Sequence, residues 1–543
     1  MRHWLFFALI LLVVLPAPTS AHALQLADRT VTLCGTDTAA GDGWNLRNAL
    51  SGGNVIVRFN CGEQSLVRIT STLEIAGNVK ILGGLEVTLD GGNEVVLFKM
   101  LPGSSLLLNG LTLTGGNKLG HPLAPAETPE ELVADAGVIQ NPFGGPITIE
   151  RCEFVANDRP IDSLDAEIRI RDSEFVNNTH TVLVNLSGQV TIERSSFRHN
   201  ADASFAGAIY NTRGGTLIIR DNTEFIANLA HASGGAIVNS GSTLFIENTN
   251  FRRNEAGLDG GAIALWGQGQ VTISRSEFDS NTAARDGGAI SQQADDVPLS
   301  TIRIDHTLFT HNTANRGGAI AIAPDQTGSG GTLILSGVTI SLNSAQEGGA
   351  LAGGNASFDL VGVAIIGNQA TGTGGAILMR NDLSLPSRIA NSLIVRNQTA
   401  NGTPTVITNF TTIMNSTIAD NQGGIALFAP IQPANPIELF NSILFDNAGG
   451  NCDTAAYTDG GNNLQYPDTS CGASIPVAFP WLDGHYAPYG WSPAVGAGNV
   501  VLCSDPPING IDMLGQQRGL GGACAIGALE RDIEHLVRRP VEE

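Results

Sequence analysis

One spacing recurs through the chain and restricts its fold more than any other feature: an apolar residue followed three positions later by Asn. It occurs as Phe154/Asn157, Phe175/Asn178, Phe197/Asn200, Phe225/Asn228, Phe251/Asn254, Phe278/Asn281 and Phe309/Asn312. It continues with aliphatic residues at Ile340/Asn343, Ile365/Asn368, Ile394/Asn397, Ile418/Asn421 and Leu444/Asn447. Successive apolar positions lie 21 to 31 residues apart. That is one circuit of a β-solenoid, too short for a propeller blade and without the helical pattern of an ankyrin or armadillo unit.

Each unit keeps one internal order. A short alternating strand such as Val190-Thr191-Ile192-Glu193 or Ile302-Arg303-Ile304-Asp305 comes first, then Phe-x-x-Asn, then Gly-Gly-Ala-Ile, as at Gly234–Ile237, Gly260–Ile263, Gly287–Ile290, Gly317–Ile320 and Gly374–Ile377. Period-two alternation sends every second side chain inward. Coils stacked about 4.8 Å apart would place equivalent residues above one another, Phe and Ile forming the core and Asn, at each bend, bonding the turn backbone and its neighbours in the stack. The expected fold is all-β: a single-stranded right-handed parallel β-helix with about 12 Phe/Ile-x-x-Asn coils, further N-terminal coils and end caps. The outward column Glu150, Arg171, Glu193, Arg220, Glu247, Ser274, Asp305 alternates in charge over its first five members, which would help to set register.

The ends divide the chain further. Residues 1–23 read as a secretory signal peptide: Arg2 and His3, an apolar run from Trp4 to Leu15, then Ala21-His22-Ala23, with cleavage after Ala23 or Ala21. No later span is apolar enough to cross a membrane, so no transmembrane segment is expected after cleavage. Residues 24–64 form the expected N-terminal cap, with a short helix at Leu46–Leu50 over a strand at Val55–Phe59. The coil is assigned to 65–450, a Cys/Gly-rich cap to 451–530 and a charged tail to 531–543.

Six cysteines bracket short segments: Cys34 and Cys61, Cys452 and Cys471, Cys503 and Cys524. Three local bridges fit an oxidising compartment, although sequence leaves connectivity open. Cys152 precedes an inward position and reads as a small buried hydrophobe. A secreted or cell-surface location, bacterial and extracellular or outer-membrane-associated, follows from these features together with the resemblances below.

Cys34, followed by Leu46-Arg47-Asn48-Ala49-Leu50 and Val55–Phe59, resembles a divergent form of the N-terminal domain named for a Cys-Ser-Leu-Arg-Glu-Ala motif on exported bacterial β-helix proteins. The Gly-Gly-Ala-Ile and Phe-x-x-Asn repeats over roughly 145–450 are similar to those of polymorphic outer-membrane proteins. Ser492–Gly498, Asp512, Gly515, Arg518 and Cys524–Glu530 resemble the end of bacterial β-helix proteins called choice-of-anchor Q, with Gly496 and Ala525 where that family more often has Asp.

Composition narrows the function classes. With 51 acidic and 29 basic residues the net charge is −22, and no basic run offsets it, which excludes nucleic acid as a partner. Two classes compete. One is a non-catalytic structural or adhesin-like protein whose elongated face binds extracellular glycan, matrix or a host or cell-surface protein. The other is a polysaccharide lyase or glycoside hydrolase working in a lateral groove, with Ca²⁺ assistance. No cofactor is required by any motif, and the acidity would attract loosely held divalent cations, Ca²⁺ among them.

Catalysis needs converging carboxylates or a base near a cation. The candidates are Asp295 and Asp296 in a long linker, Arg303 and Asp305 on the following strand, and Asp259, Asp286 and Arg316 before successive Gly-Gly-Ala turns. His199 and His311 precede ladder Asn residues several coils apart, too far for a shared metal. The non-catalytic reading is favoured, because polar residues at glycine turns ordinarily face water. The longer excursions at Gly115–Gly137, Ser291–Leu299, Pro324–Gly331, Arg380–Pro386 and Ala429–Pro436 are the expected places for a partner.

Overall fold

Alternating apolar residues in strands of three to five residues dictate how each coil closes. In the turn around residue 190, Gln189–Glu193 forms a strand on wall 1, Ser196–Arg198 one on wall 2, and Ile209–Thr212 one on wall 3. Every pairing is to the coil before and the coil after, in parallel: Ile170, Ile192 and Ile219 stack on wall 1, Phe175, Phe197 and Phe225 on wall 2, Leu183, Ile209 and Ile237 on wall 3. Walls 1 and 2 belong to one 32-stranded sheet and wall 3 is a 14-stranded sheet. The protein is therefore the all-β right-handed parallel β-helix that the repeat predicts. The computed structural model describes residues 26–62, 65–117, 136–293, 301–322, 331–380, 385–400, 402–430, 437–453, 457–519 and 522–530. The leader expected at 1–23, the tail at 531–543 and most of the longer excursions fall outside them.

The core is a set of columns. Rings of Phe154, Phe175, Phe197, Phe225, Phe251, Phe278 and Phe309 stack with centroids 4.6 to 4.9 Å apart and planes within 20°. Their spacing is the strand spacing itself. Beside them runs the amide column Asn157, Asn178, Asn200, Asn228, Asn254, Asn281 and Asn312, continued by Asn343, Asn368, Asn397, Asn421 and Asn447. From Asn157 to Asn421, the Nδ2 of each donates to Oδ1 of the next at 2.9 to 3.2 Å.

These amides make the expected bonds to their neighbours in the stack, and differ from the expectation in being placed inside the coil rather than outward at the bends. Asn178, Asn200, Asn281 and Asn312 are buried inside the coil, and the second hydrogen bond from each Nδ2 goes to a strand carbonyl of the preceding coil on wall 2. The acceptors are Phe154 O for Asn178 and Phe278 O for Asn312, both at 2.9 Å, and Phe175 O for Asn200 and Phe251 O for Asn281, both at 3.0 Å. The cause is the residue just before each Asn. Asn177, His199, Ser280 and His311 take φ of 54 to 57°, which makes the outward bend and aims the following side chain at the interior. What remains of the expected turn bonding is on the acceptor side, where Oδ1 of Asn200 takes the backbone N–H of Asn178 at 3.1 Å and that of Asn312 takes Asn281 N at 2.9 Å. The buried amides are thus paired along the stack, which meets the cost of excluding them from water. A second internal column, Asn141, Ser163, Asn185, Asn211 and Asn239 on wall 3, was not anticipated; Asn185 and Asn211 each donate to the next Asn at 2.7 Å.

The Gly-Gly-Ala-Ile motif has a steric cause. A Cβ on Gly288 would lie 2.1 Å from Gly318 O of the next coil, and one on Gly261 2.1 Å from Gly288 O. Chains of neighbouring coils cross here at backbone contact, so no side chain fits.

The stack runs past the expected 65–450 span at both ends. Ala27–Val31 pairs with Val55–Phe59, and Gly35–Thr36 with Leu66–Arg68, so the first coil already lies within the N-terminal cap. The helix α1 (Leu46–Leu50), capped by Asn45, packs Leu46, Ala49 and Leu50 onto it. At the other end Tyr457–Asp459 and Leu464–Tyr466 add a further coil. Residues 477–530 then turn back along the side instead of only closing the end. Their contacts reach coils far upstream: Arg518 Nη2 to Asn391 Oδ1 at 2.6 Å, Ala528 N to Thr417 Oγ1 at 3.0 Å and Gly527 N to Asn441 O at 2.8 Å. Ala528, Leu529 and Tyr486 cover Leu393, Val395 and Ala419 on the outer side of wall 2. Disulfides join Cys34–Cys61, Cys452–Cys471 and Cys503–Cys524, and Cys152 is a buried free thiol, its pKa pushed up to about 11 by burial.

Candidate functional site

The most regular polar residues of the sequence are withdrawn from any surface. Asn157, Asn178, Asn200, Asn228, Asn254, Asn281 and Asn312 lie inside the coil beside the Phe column, where each amide is occupied by the coils above and below, so they hold the scaffold and present nothing to a ligand.

Arg303 and Asp305 lie on wall 1 in Thr301–Asp305, with Ile302 and Ile304 turned into the core. The register neighbours of Asp305 are Ser274 and Ser336, so no carboxylate stacks above or below it; its oxygen lies 2.8 Å from His306 Nδ1. Arg303 sits between Thr272 and Ile334. Asp295 and Asp296 lie outside the described residues. His199 and His311 occupy exposed bends at positive φ, His311 beside Asp279 at 3.5 Å.

Asp259, Asp286 and Arg316 do stack, each bridged in parallel to the next and on to Glu347. Their chemistry is closed, however. Arg285 grips both oxygens of Asp259, with Nε to Oδ1 at 2.7 Å, and Arg316 grips Asp286 at 2.7 and 2.9 Å. Burial raises the pKa of Asp286 while the Arg316 hydrogen bond opposes it. Each pair links one coil to the next through a buried carboxylate, an inter-coil staple and not an accessible acid and base. Among the described residues no three His, Cys, Asp or Glu side chains converge as metal ligands.

The charge column on wall 1 is partly an ion-pair ladder. Glu193 lies between Arg171, at 2.8 Å, and Arg220, which forks onto it. Glu150 instead accepts from Asn109 Nδ2 at 2.9 Å, and Glu247 pairs with Arg275 of the next coil's bend. Hydrogen bonding from Arg220 is the main cause holding the Glu193 carboxyl below its usual range.

Wall 3 carries a feature that no motif flagged. Tyr210 points outward, followed in register by Val238 and Ala264, which are fully buried. Trp266 ends its strand at the corner and reaches back over this small-residue floor: its ring is edge-on to Phe205 at 4.9 Å and to Tyr210 at 6.4 Å. Phe205 remains 44% exposed. Three aromatic residues from coils two repeats apart thus form one outward knoll. The register partner of Trp266 in the next coil is Gln293, immediately before the excursion at 294–300. Ile320–Ile322, Ile377–Arg380 and Leu427–Phe428 are the equivalent wall 3 strands of later coils. Aromatic residues outside the Phe-x-x-Asn positions were the signal available in the sequence.

At the N-terminal end of wall 3, Glu74, Lys99 and Gln140 face outward into a groove of about 630 Å³ that Arg47 and Leu50 also line. Arg47 is committed to Asp37 and to the carbonyls of Ser71 and Thr72, at 2.6 and 3.3 Å for the latter two.

A family profile described as a right handed beta helix region matches residues 133–278 and 181–369. No characterised protein sequence matches. Among solved structures, tailspike protein 3 of bacteriophage CBA120 is similar at 11% identity and a TM-score of 0.28, covering 83% of this chain and 62% of the tailspike chain. The pectate lyase Pel9A is similar at 12% identity and a TM-score of 0.19, covering 94% of this chain and 98% of that one. The chain spans less than two thirds of the tailspike. No helix among the described residues is long and apolar enough to cross a membrane, and three disulfides fit an extracellular setting. From its stacked parallel coils and the profile that matches their central run, the chain is a right-handed parallel β-helix repeat protein.

Proposed function

We propose that this is a secreted or cell-surface binding protein that holds an extracellular glycan along wall 3, with Phe205, Tyr210 and Trp266 as the stacking surface. The observation that carries this reading is the aromatic knoll, in which Phe205 is exposed and Tyr210 and Trp266 are half-buried on wall 3 strands. Flat aromatic faces with polar rims are suited to sugar rings, whose C–H faces are apolar and whose edges are hydroxylated. The net charge of −22 favours neutral or cationic polymers over polyuronates, which would need Ca²⁺ as a bridge. The resemblances to polymorphic outer-membrane repeats and to the choice-of-anchor Q and Cys-Ser-Leu-Arg-Glu-Ala regions support an exported, surface-associated role.

A glycan array, with and without Ca²⁺, is the test. Phe205→Ala and Trp266→Ala are expected to weaken glycan binding about tenfold each, with no product released. Undiminished binding in the double variant rejects the knoll as the site. Depolymerisation of a bound glycan that is lost on changing Asp295, Asp296, Arg303 or Asp305 replaces the binding reading with that of a lyase or glycoside hydrolase.

A further inference from the structure

The C-terminal fold-back carries an unusual surface. Among the described residues, nine of the sixteen exposed large hydrophobic side chains fall within residues 477–514. They include Phe479, Trp481, Tyr489 and Trp491, the last 70% exposed. Scattered exposed apolar residues need no explanation, but a contiguous set does.

The aromatic members are built into one rigid hairpin. Leu482 and Pro488 form an antiparallel bridge, and Tyr489 N donates to Trp481 O at 2.9 Å. Rings of Tyr489 and Trp491 stack at 5.0 Å with planes 2° apart, and both side chains stay exposed, at 43% and 70%. Phe479 meets Trp481 at 4.9 Å and is edge-on to Phe445 and Tyr466 of the stack, each at 5.2 Å. The hairpin tip is tied down by Tyr486, whose hydroxyl donates to Asp420 at 2.6 Å and accepts from Arg396 Nε at 2.9 Å. Trp481 has φ of 45°, a left-handed conformation that a bulky residue adopts at a cost.

Charge selects the occupant. Residues 397–517 contain no Lys or Arg and nine Asp or Glu, and Arg396, which packs on the hairpin, is committed to the Tyr486 ring and hydroxyl and to the Gly484 carbonyl. An anionic polymer or anionic lipid surface would be repelled from this quarter of the chain. A neutral ligand with flat apolar faces and hydroxylated edges avoids that penalty and suits the open rings, the Tyr489 hydroxyl and the indole N–H groups.

We infer that Trp481, Tyr489 and Trp491 form a second carbohydrate-binding platform, for neutral glycan chains, on the C-terminal fold-back and separate from wall 3. It shares only the ligand class with the function proposed above. Because the hairpin is already held by Arg396, Tyr486 and Asp420, little ordering remains to be done on binding.

The test uses the full-length oxidised protein with cellohexaose, laminarihexaose and chitohexaose as probes, read by calorimetry and by tryptophan fluorescence, and polygalacturonate as the anionic control. Tyr489→Ala and Trp491→Ala, at exposed positions, are expected to reduce affinity for at least one neutral hexasaccharide about tenfold, and Trp266→Ala to leave that component unchanged. Loss of the same component in Trp266→Ala alone overturns this inference and leaves the wall 3 site standing; loss in Trp491→Ala alone supports it and leaves the wall 3 site to be decided by the array. Absence of neutral-glycan binding by the wild type, equal binding of polygalacturonate, or a Trp491-dependent dimer or vesicle interaction without sugar binding each overturn it.

Discussion

Phe251 has its ring between those of Phe225 and Phe278, at 4.9 and 4.7 Å, and is fully buried. Phe251→Ala opens a cavity that strands held in register on both sides cannot close, so a loss of about 3–5 kcal/mol is expected in urea denaturation. Phe251→Leu should cost less than half as much, since the aliphatic coils from Ile340 onward fill the same column without rings. Asn254 poses a different problem. Its Oδ1 accepts from both N and Nδ2 of Asn228, at 3.1 and 2.9 Å, and Asn254→Leu strands both donors in a dry column. Each unpaired group costs about 1–3 kcal/mol, so this near-isosteric change is expected to destabilise as much as Phe251→Ala. Asn178, Asn200, Asn281 and Asn312 make the same pair of bonds and should respond alike. A melting curve within the error of wild type would show that the amide column contributes nothing.

At the scale of strands, register on wall 1 is reinforced by charge where Glu193 meets Arg171 and Arg220 across two coil boundaries. A carboxyl held below its unfolded pKa stabilises the fold above about pH 4.3, and that contribution disappears as pH falls through the lower folded value. Glu193→Gln should therefore lower the unfolding free energy from urea denaturation at pH 6 by about 1 kcal/mol or less, given the half-exposed arginines, and converge on wild type near pH 3. Parallel pH profiles would exclude the ladder. Asp286 has the opposite sign: its pKa is raised by burial, so ionisation costs stability and acidification through its own range slightly favours the folded state. The two carboxylates differ because hydrogen bonding from Arg220, with Arg171 beside it, outweighs burial at Glu193, whereas burial outweighs the Arg316 hydrogen bond at Asp286.

For the whole molecule, a stack in which each coil touches its neighbours frays from the ends, and the three disulfides close loops at those ends, with sequence separations of 27, 19 and 21. Each is worth about 3 kcal/mol in chain entropy. Reduction should therefore raise hydrogen exchange in residues 27–68 and 452–530 while the Phe154–Phe309 coils stay protected; uniform loss of protection would contradict a nearest-neighbour stack. The wall order, the Phe and Asn columns and the glycine turns were legible in the sequence, because a repeat writes the same local contact into every coil. The direction of the amides was not, since it depends on the left-handed residue before each Asn, which varies in identity from His to Ser to Asn. The aromatic knoll was hidden for another reason: Phe205, Tyr210 and Trp266 stand outside the repeat and meet only after two coils have been wound over one another. Nor were the Arg285–Asp259 and Arg316–Asp286 staples visible, which turn apparent catalytic candidates into fasteners. The fold-back was least visible, since Arg518 and Asn391 are 127 residues apart and share no periodic position. By itself the sequence determined the coil, whose contacts recur at one period; only the tertiary structure decided which side of the coil is covered and which left open, because those contacts join residues that no period relates.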